Sequence, residues 1–92
     1  MDTYIIAYDI RNQKRLHKVF KTMKDFGEHR QYSIFECRLS EVSLLKLKNK
    51  LENIIDKQDD QVLIIKLCES CLNSIEAMGI PRLVSTDGYM IV

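Results

Sequence analysis

The sequence predicts an α+β domain in which strands and helices alternate around one core. Two short runs, residues 4–10 and 62–67, consist mainly of β-branched, aliphatic and aromatic residues, which is typical of buried strands. Elsewhere, apolar residues recur at three- and four-residue steps, which indicates amphipathic helices. A chain of 92 residues fits one domain, so we expect residues 1–92 to fold as a single unit.

The first strand runs into a carboxylate. Asp9 is expected at the C-terminal end of the strand, where a side chain can meet a ligand, although it could simply begin the turn. Asn12 is the expected N-cap of the next helix, and Gly27 is expected as its left-handed C-cap. The apolar stripe of this helix consists of Leu16, Val19, Phe20, Met23 and Phe26.

The middle of the chain predicts a strand region, a second helix and a second buried strand. Residues 30–39 favour β-structure, either as one long strand or as a hairpin that turns near Ser33 and Ile34. Ser40 is the expected cap of the second helix, and residues 56–61 form a polar loop before the strand at 62–67. The stripe of the second helix consists of Leu44, Leu47, Leu51 and Ile54.

The last residues predict two small elements. A helical turn is expected to end at Gly79, and its apolar positions are Cys71, Leu72, Ile75 and Met78. Asp87-Gly88 indicates a turn, and residues 89–92 can form a short strand. We expect this strand, about residues 88–92, to serve as an edge that docks on a partner chain.

The order β-α-β(β)-α-β is that of a ferredoxin-like sandwich, here with an additional C-terminal strand. In that fold both helices cover one face of the sheet. However, residues 4–8 and 62–67 are apolar on both faces, which would leave half of their apolar surface exposed. We therefore predict a homodimer in which a second copy covers the other face.

Charge is concentrated in one segment. The net charge is +1, but residues 11–30 hold seven Lys and Arg residues against two carboxylates and so carry +5. A local basic segment predicts contact with a polyanion, whereas the simpler interpretation is a solvated helix face. The apolar runs are too short to cross a membrane and no signal peptide is evident, so we expect a cytoplasmic protein without membrane contact.

The three cysteines are expected as free thiols, because a chain that is not exported stays in a reducing compartment. Cys68 and Cys71 form a C-x-x-C motif after a strand, which raises the alternative of a dithiol redox protein. A structural zinc site is disfavoured because no second ligand pair accompanies the motif. Buried structural thiols are the preferred interpretation.

Several motifs together resemble the CRISPR-associated protein 2 family, the smaller subunit of the CRISPR spacer-acquisition complex. They are Tyr8-Asp9-Ile10, the dipeptides Lys14-Arg15 and Lys18-Val19, and the segment Gln31-Tyr32-Ser33-Ile34-Phe35-Glu36-Cys37. The resemblance covers nearly the whole chain. It departs from the family pattern at His29, Arg30 and Leu16, where relatives commonly carry other residue types.

The resemblance implies a ferredoxin-like homodimer with Asp9 near the two-fold axis. It also implies Mg²⁺-dependent phosphodiester cleavage in some members, with Mn²⁺ as the alternative ion, and Asp9 as the catalytic and metal-binding residue. The implied partners are the CRISPR-associated protein 1 integrase and double-stranded DNA, with single-stranded RNA as a further substrate class. The candidate nucleic-acid-binding residues are Arg11, Lys14, Arg15, Lys18 and Arg30, and the substrate-orienting candidates, if not core residues, are Tyr8 and Phe35.

Beside the dithiol alternative, two functions that involve nucleic acid remain open from these residues. The first is a basic bridge that works with the integrase, and the second is a stand-alone, toxin-like, metal-dependent endonuclease that acts on RNA or DNA. One carboxylate per chain is few for Mg²⁺, although two copies of Asp9 across a dimer axis would provide a pair. A bridge would tolerate the loss of Asp9, whereas a nuclease would not.

Overall fold

The computed structural model describes residues 1–79, 83–84 and 90–91. A four-stranded antiparallel sheet has the order β2-β3-β1-β4, which confirms the ferredoxin-like prediction. A separate antiparallel pair is formed by β5 and β6. In chain order the elements are β1 (Asp2–Asp9), α1 (Gln13–Lys24), β2 (Glu28–Gln31), β3 (Ile34–Leu39), α2 (Glu41–Glu52), β4 (Gln61–Leu67), α3 (Glu69–Asn73), β5 (Leu83–Val84) and β6 (Met90–Ile91).

The core lies between the helices and one face of the sheet. Successive residues of a strand point to opposite faces, so every second residue of β1 and β3 enters this layer. The largest fully buried side chains are Ile6, Val19, Met23, Phe35, Cys37 and Leu47. The predicted caps are present, because Asn12 accepts from the backbone N–H of Arg15 and Ser40 accepts from that of Ser43.

Residues 28–39 form a hairpin, which resolves the choice left open by the sequence. The strands turn at Tyr32 and Ser33, and Tyr32 has a positive φ of 41°. A bulge between His29 and Gln31 shifts the register of the two strands. The turn is tied to the sheet centre, because the backbone N–H of Tyr8 donates to the carbonyl of Ser33 at 3.0 Å.

The prediction of a left-handed cap at Gly27 is wrong. Helix α1 is capped by Asp25 in a right-handed conformation, and Gly27 does not have a positive φ. Glycine is needed for close approach instead, because a Cβ here would lie 2.6 Å from the carbonyl oxygen of Glu36 and would also meet the sulfur of Cys37. The constraint at this position is therefore the packing of the chain against β3.

The helix near the C-terminus is shorter than predicted. Helix α3 ends at Asn73, so the stripe expected to continue to Met78 does not form a helix. Ile75 and Met78 are exposed, by 44% and 99%. The predicted turn at Asp87-Gly88 lies outside the described residues. The strand expected at 89–92 is described at Met90–Ile91, where it pairs with Leu83–Val84, and its docking on a partner stays a prediction.

The sheet face opposite the helices is apolar at its centre. The register places Ala7 beside Leu63 and Ile5 beside Ile65, so these residues form adjacent cross-strand pairs. Leu63 and Ile65 are 49% and 50% exposed. This helix-free face, defined by Ile5, Ala7, Leu63 and Ile65, is the surface for which a second copy is predicted.

Within the described residues, no helix has the length and apolarity that crossing a bilayer would require.

Candidate functional site

Asp9 lies where it was predicted, at the C-terminal end of β1 and exposed to solvent. Its Oδ2 lies 3.6 Å from Nη2 of Arg11, and the two side chains are 67% and 68% exposed. A pair this exposed is screened by water and contributes little to stability. Asp9 is therefore free to exchange Arg11 for another cationic partner.

A second carboxylate does not approach Asp9 from within the same sheet. Glu36 pairs with Ile5 in the register, about 13 Å along β1 from Asp9 at a rise of ~3.3 Å per residue. Its side chain faces Arg30, at 3.8 Å. Among the residues that the structure describes, no three His, Cys, Asp or Glu side chains converge on a common metal position.

In the part of the chain that the structure describes, Asp9 therefore has no neighbouring acidic cluster with which to hold Mg²⁺. Mg²⁺ is usually bound by one or two carboxylates together with water and substrate phosphates. Among the described residues Asp9 stands alone at this position, so it fits that requirement when further ligands, such as a second Asp9 and a phosphate, come from outside the chain.

Asp60 is the residue at this end of the sheet that the sequence analysis did not identify. Its side chain is completely buried and accepts four hydrogen bonds. Arg15 donates two of them, from Nε to Oδ2 at 2.7 Å and from Nη2 to Oδ1 at 3.1 Å. The backbone N–H groups of Arg11 and Asp56 donate the other two, both at 2.9 Å.

These contacts hold the pKa of Asp60 well below its usual range, chiefly because the Arg15 guanidinium stabilises the ionised carboxylate. They also join three separate segments: the loop after β1, the first turn of α1 and the loop before β4. Because Arg11 lies in the first of these segments, Asp60 fixes the backbone that leads away from Asp9.

The predicted nucleic-acid-binding residues separate into three groups. Lys14 and Lys18 are exposed and line a groove of about 340 Å³ on α1, and Arg11 is exposed beside Asp9. Arg15 turns its guanidinium to Asp60. Arg30 is paired with Glu36 and borders the helix-free face, so the structure does not bring it to the lysines of α1.

The two predicted substrate-orienting rings are in the core, the alternative considered for them from the sequence. Tyr8 is 7% exposed and Phe35 is fully buried, with ring centroids 6.3 Å apart. Burial raises the pKa of Tyr8, and a hydrogen bond with Ser33 partly offsets this effect. A contact with substrate stays a prediction for both residues.

The expectation of buried thiols in the C-x-x-C motif is wrong, because Cys68 and Cys71 are both exposed; only Cys37 is buried. Cys68 caps α3, and its Sγ lies 3.3 Å from Ser70 Oγ and 3.4 Å from the backbone N of Cys71. These contacts lower the pKa of Cys68 to about 7. The thiol at Cys68 raises the pKa of Cys71, and burial raises that of Cys37 to about 11.

A lowered thiol pKa, as at Cys68, is what the dithiol alternative requires. That function stays a prediction.

Comparison with known proteins decides the family. The family model described as CRISPR associated protein Cas2 matches residues 1–75. The chain belongs to this family. It is similar to the CRISPR-associated endoribonuclease Cas2 of Geobacter sulfurreducens, with 44% identity over 64 residues, which is 70% of this chain and 67% of the relative. It is also similar to CRISPR-associated endoribonuclease Cas2 3 of Synechocystis sp., with 33% identity over 100% of both chains.

Solved structures of the family share the fold. The Cas2 structure from Streptococcus pyogenes matches with a TM-score of 0.76 and 28% identity, over 84% of this chain and 99% of that one. A chain of a partial Cas6-RT-Cas1–Cas2 complex matches with a TM-score of 0.69 and 18% identity, over 99% and 97% of the two chains. The recognition of the family and of the ferredoxin-like fold from the sequence is therefore confirmed.

We predict that Asp60→Asn lowers the midpoint of thermal unfolding by at least about 5 °C, because the amide has one acceptor oxygen and places an NH₂ group against donors. Thermal unfolding followed by circular dichroism measures the change. Asp59→Asn is the matched control, because Asp59 is exposed in the same loop and should change the midpoint little.

The difference between wild type and Asp60→Asn should also depend on pH. Since the folded pKa of Asp60 is lowered, the stability it contributes is present above the ordinary Asp range and is lost as pH falls towards the folded pKa. The two midpoints should therefore converge in acid. A constant difference down to low pH would show that the ionised carboxylate is not the stabilising species.

Proposed function

We propose that this chain is a CRISPR adaptation protein, a homodimeric nucleic-acid-binding module that bridges the CRISPR-associated protein 1 integrase during spacer acquisition. Membership of the Cas2 family supports the CRISPR role. The observation that carries the nucleic-acid contact is the exposed cationic surface at the start of α1, directly after the Asp9 end of β1. We name this surface, formed by Arg11, Lys14 and Lys18, the α1 cationic surface.

The α1 cationic surface suits a phosphate backbone rather than a particular base sequence. Its charges lie on flexible, exposed side chains, which position a polyanion without reading base edges. Arg15 is excluded from the proposal as a primary phosphate contact because two of its N–H groups already bind Asp60. Arg15 instead stabilises the start of α1 through its contact with Asp60.

The helix-free face supports the homodimer. Leu63 and Ile65 are each about half exposed in a single chain, next to Ile5 and Ala7. Contiguous apolar surface of this kind is characteristic of protein interfaces, and burying it in a two-fold dimer would remove it from water. The proposed occupant is a second copy of this chain.

The integrase partner is proposed from the family and from the fold shared with a chain of a complex that contains Cas1. Duplex DNA is the proposed ligand of the bridge. Single-stranded RNA is the further substrate class, since relatives bear the name endoribonuclease.

A second candidate function is metal-dependent endonuclease activity at Asp9, either within the adaptation role or as a stand-alone, toxin-like enzyme. The exposure of Asp9 favours it, as does the name of the relatives. In this proposal Asp9 from each protomer, together with substrate phosphate, would hold Mg²⁺ or Mn²⁺. A bound ion of this type supplies an activated water and offsets negative charge on the phosphate.

The Lys14→Gln/Lys18→Gln variant should weaken duplex DNA binding and flatten its salt dependence. Each phosphate contact contributes about 0.9 to the slope of log affinity against log salt, so the slope should decrease by roughly that amount per contacting lysine. Fluorescence anisotropy over a series of salt concentrations measures it. The matched control is Lys46→Gln/Lys48→Gln, which removes two exposed charges from α2. Equal slopes in both double variants would remove α1 from the interface.

Asp9→Ala should abolish Mg²⁺-dependent cleavage if the chain is a nuclease, because it removes the exposed carboxylate at the end of β1 to which the metal is assigned. Labelled duplex DNA and single-stranded RNA are incubated with wild type and variant from parallel purifications, with Mg²⁺ or with a chelator. Binding should persist in the variant. Identical cleavage in both preparations, or none in either, would refute the enzymatic function and leave the bridge.

Ile65→Lys should shift the protein from dimer to monomer, because it places a charge at the centre of the helix-free face. Light scattering coupled to gel filtration gives the mass. Leu45→Lys is the control, since Leu45 is 59% exposed on α2, away from that face. A dimer that survives Ile65→Lys unchanged, or that is lost equally with Leu45→Lys, would argue against this interface.

A further inference from the structure

An aromatic recess lies beside the α1 cationic surface. It has a volume of about 370 Å³ and opens between α1 and the turn of the β2–β3 hairpin. This volume lies in the range of small-molecule sites, which combine apolar walls with a few polar groups. Its lining includes three aromatic residues and three polar ones, namely Tyr8, Phe20, Tyr32, Gln13, His17 and Ser33.

Tyr32 is the unusual member of this lining. It is 90% exposed, and its φ of 41° lies in the left-handed region, which bulky residues rarely adopt. Neither burial of the ring nor backbone preference accounts for a tyrosine at this position. Strained conformations of this kind are concentrated at ligand sites.

The conformation of Tyr32 is held by His29, which belongs to a partly buried cluster of rings. His29 Nε2–H donates to the carbonyl of Tyr32 at 2.6 Å, and a carbonyl oxygen can only accept, so Nε2 carries the hydrogen. The His29 ring packs edge-on to Phe20 at 5.2 Å and lies 5.0 Å from Phe35. His29 therefore restrains the backbone of Tyr32, while the Tyr32 ring stays exposed to solvent.

The recess and the lysine groove share a wall. Gln13 and His17 line both, so the aromatic space and the groove of Lys14 and Lys18 are adjacent on one face of α1. An aromatic platform next to exposed cations matches the two parts of a nucleotide, a base with a π-face and an anionic phosphate. In a paired duplex the base would be inaccessible, because it is stacked between its neighbours.

We propose that this recess binds the base of an unpaired nucleotide, stacked on Tyr32, while Lys14 and Lys18 hold the adjoining phosphate. The inference rests on the proposed nucleic-acid function and adds a specificity to it: the protein recognises a site where the strands are not paired. Gln13, His17 and Ser33 provide polar groups at the edge of the base.

The test compares two probes that carry the same phosphates. One is a short DNA duplex with a single bulged adenosine, and the other replaces the bulged adenosine with an abasic residue. Wild type should bind the adenosine probe about tenfold more tightly, because only that probe offers a base for stacking. Tyr32→Gly should abolish this ratio, and Tyr32→Phe should preserve it.

Glycine is chosen because it adopts a positive φ without steric cost, so the variant retains the turn while losing the ring. Thermal unfolding of the variant confirms that the fold persists. Equal affinity of wild type for both probes, or a ratio that survives Tyr32→Gly, would overturn the inference. In either case, salt-dependent binding of both probes would still support phosphate binding by the α1 cationic surface. No binding of either probe would refute both the phosphate contact and the base contact.

Discussion

The buried carboxylate of Asp60 is the constraint on which the arrangement of this end of the molecule depends. A charge removed from water must be matched by donors, and here the donors come from the loop after β1, the first turn of α1 and the loop before β4. Satisfying Asp60 therefore fixes the exit from β1 against the entry to β4. The first turn of α1 is held there by Arg15, while Val19 and Met23 anchor the helix in the core, and the two together set the direction in which its lysines project.

The basic residues of segment 11–30 have different structural roles, although the sequence alone does not distinguish them. Arg15 has the planar fork needed to bind a carboxylate through two N–H groups, and it is used inside the protein. Lys14 and Lys18, one turn apart on the exposed side, stay available to an external anion. A local charge of +5 thus overstates the charge presented to a ligand, because part of it neutralises Asp60.

Features set by local patterns were predictable, and those set by contacts across the chain were not. Apolar periodicity gave the strands and helices, and the caps at Asn12 and Ser40 act within three residues. Asp60 gave no comparable signal: it stands in a run of polar residues, and its partner Arg15 is 45 positions away. The sequence predicts Gly27 as a helix-terminal glycine. In the structure, glycine is required there because a side chain would collide with the backbone of β3. Asp9 was found from the sequence because a strand end is a local feature.

The position of β1 between β3 and β4 has a consequence for motion. Its amides are bonded on both sides, so β1 can open only when the sheet itself separates, and hydrogen exchange there should track global unfolding. Asp9 is thus an exposed group anchored to the slowest-opening strand. Tyr32 sits at the tip of a hairpin whose outer strand, β2, has four residues and lies at the edge of the sheet. A ligand that contacts both residues would connect the central strand of the sheet to its edge.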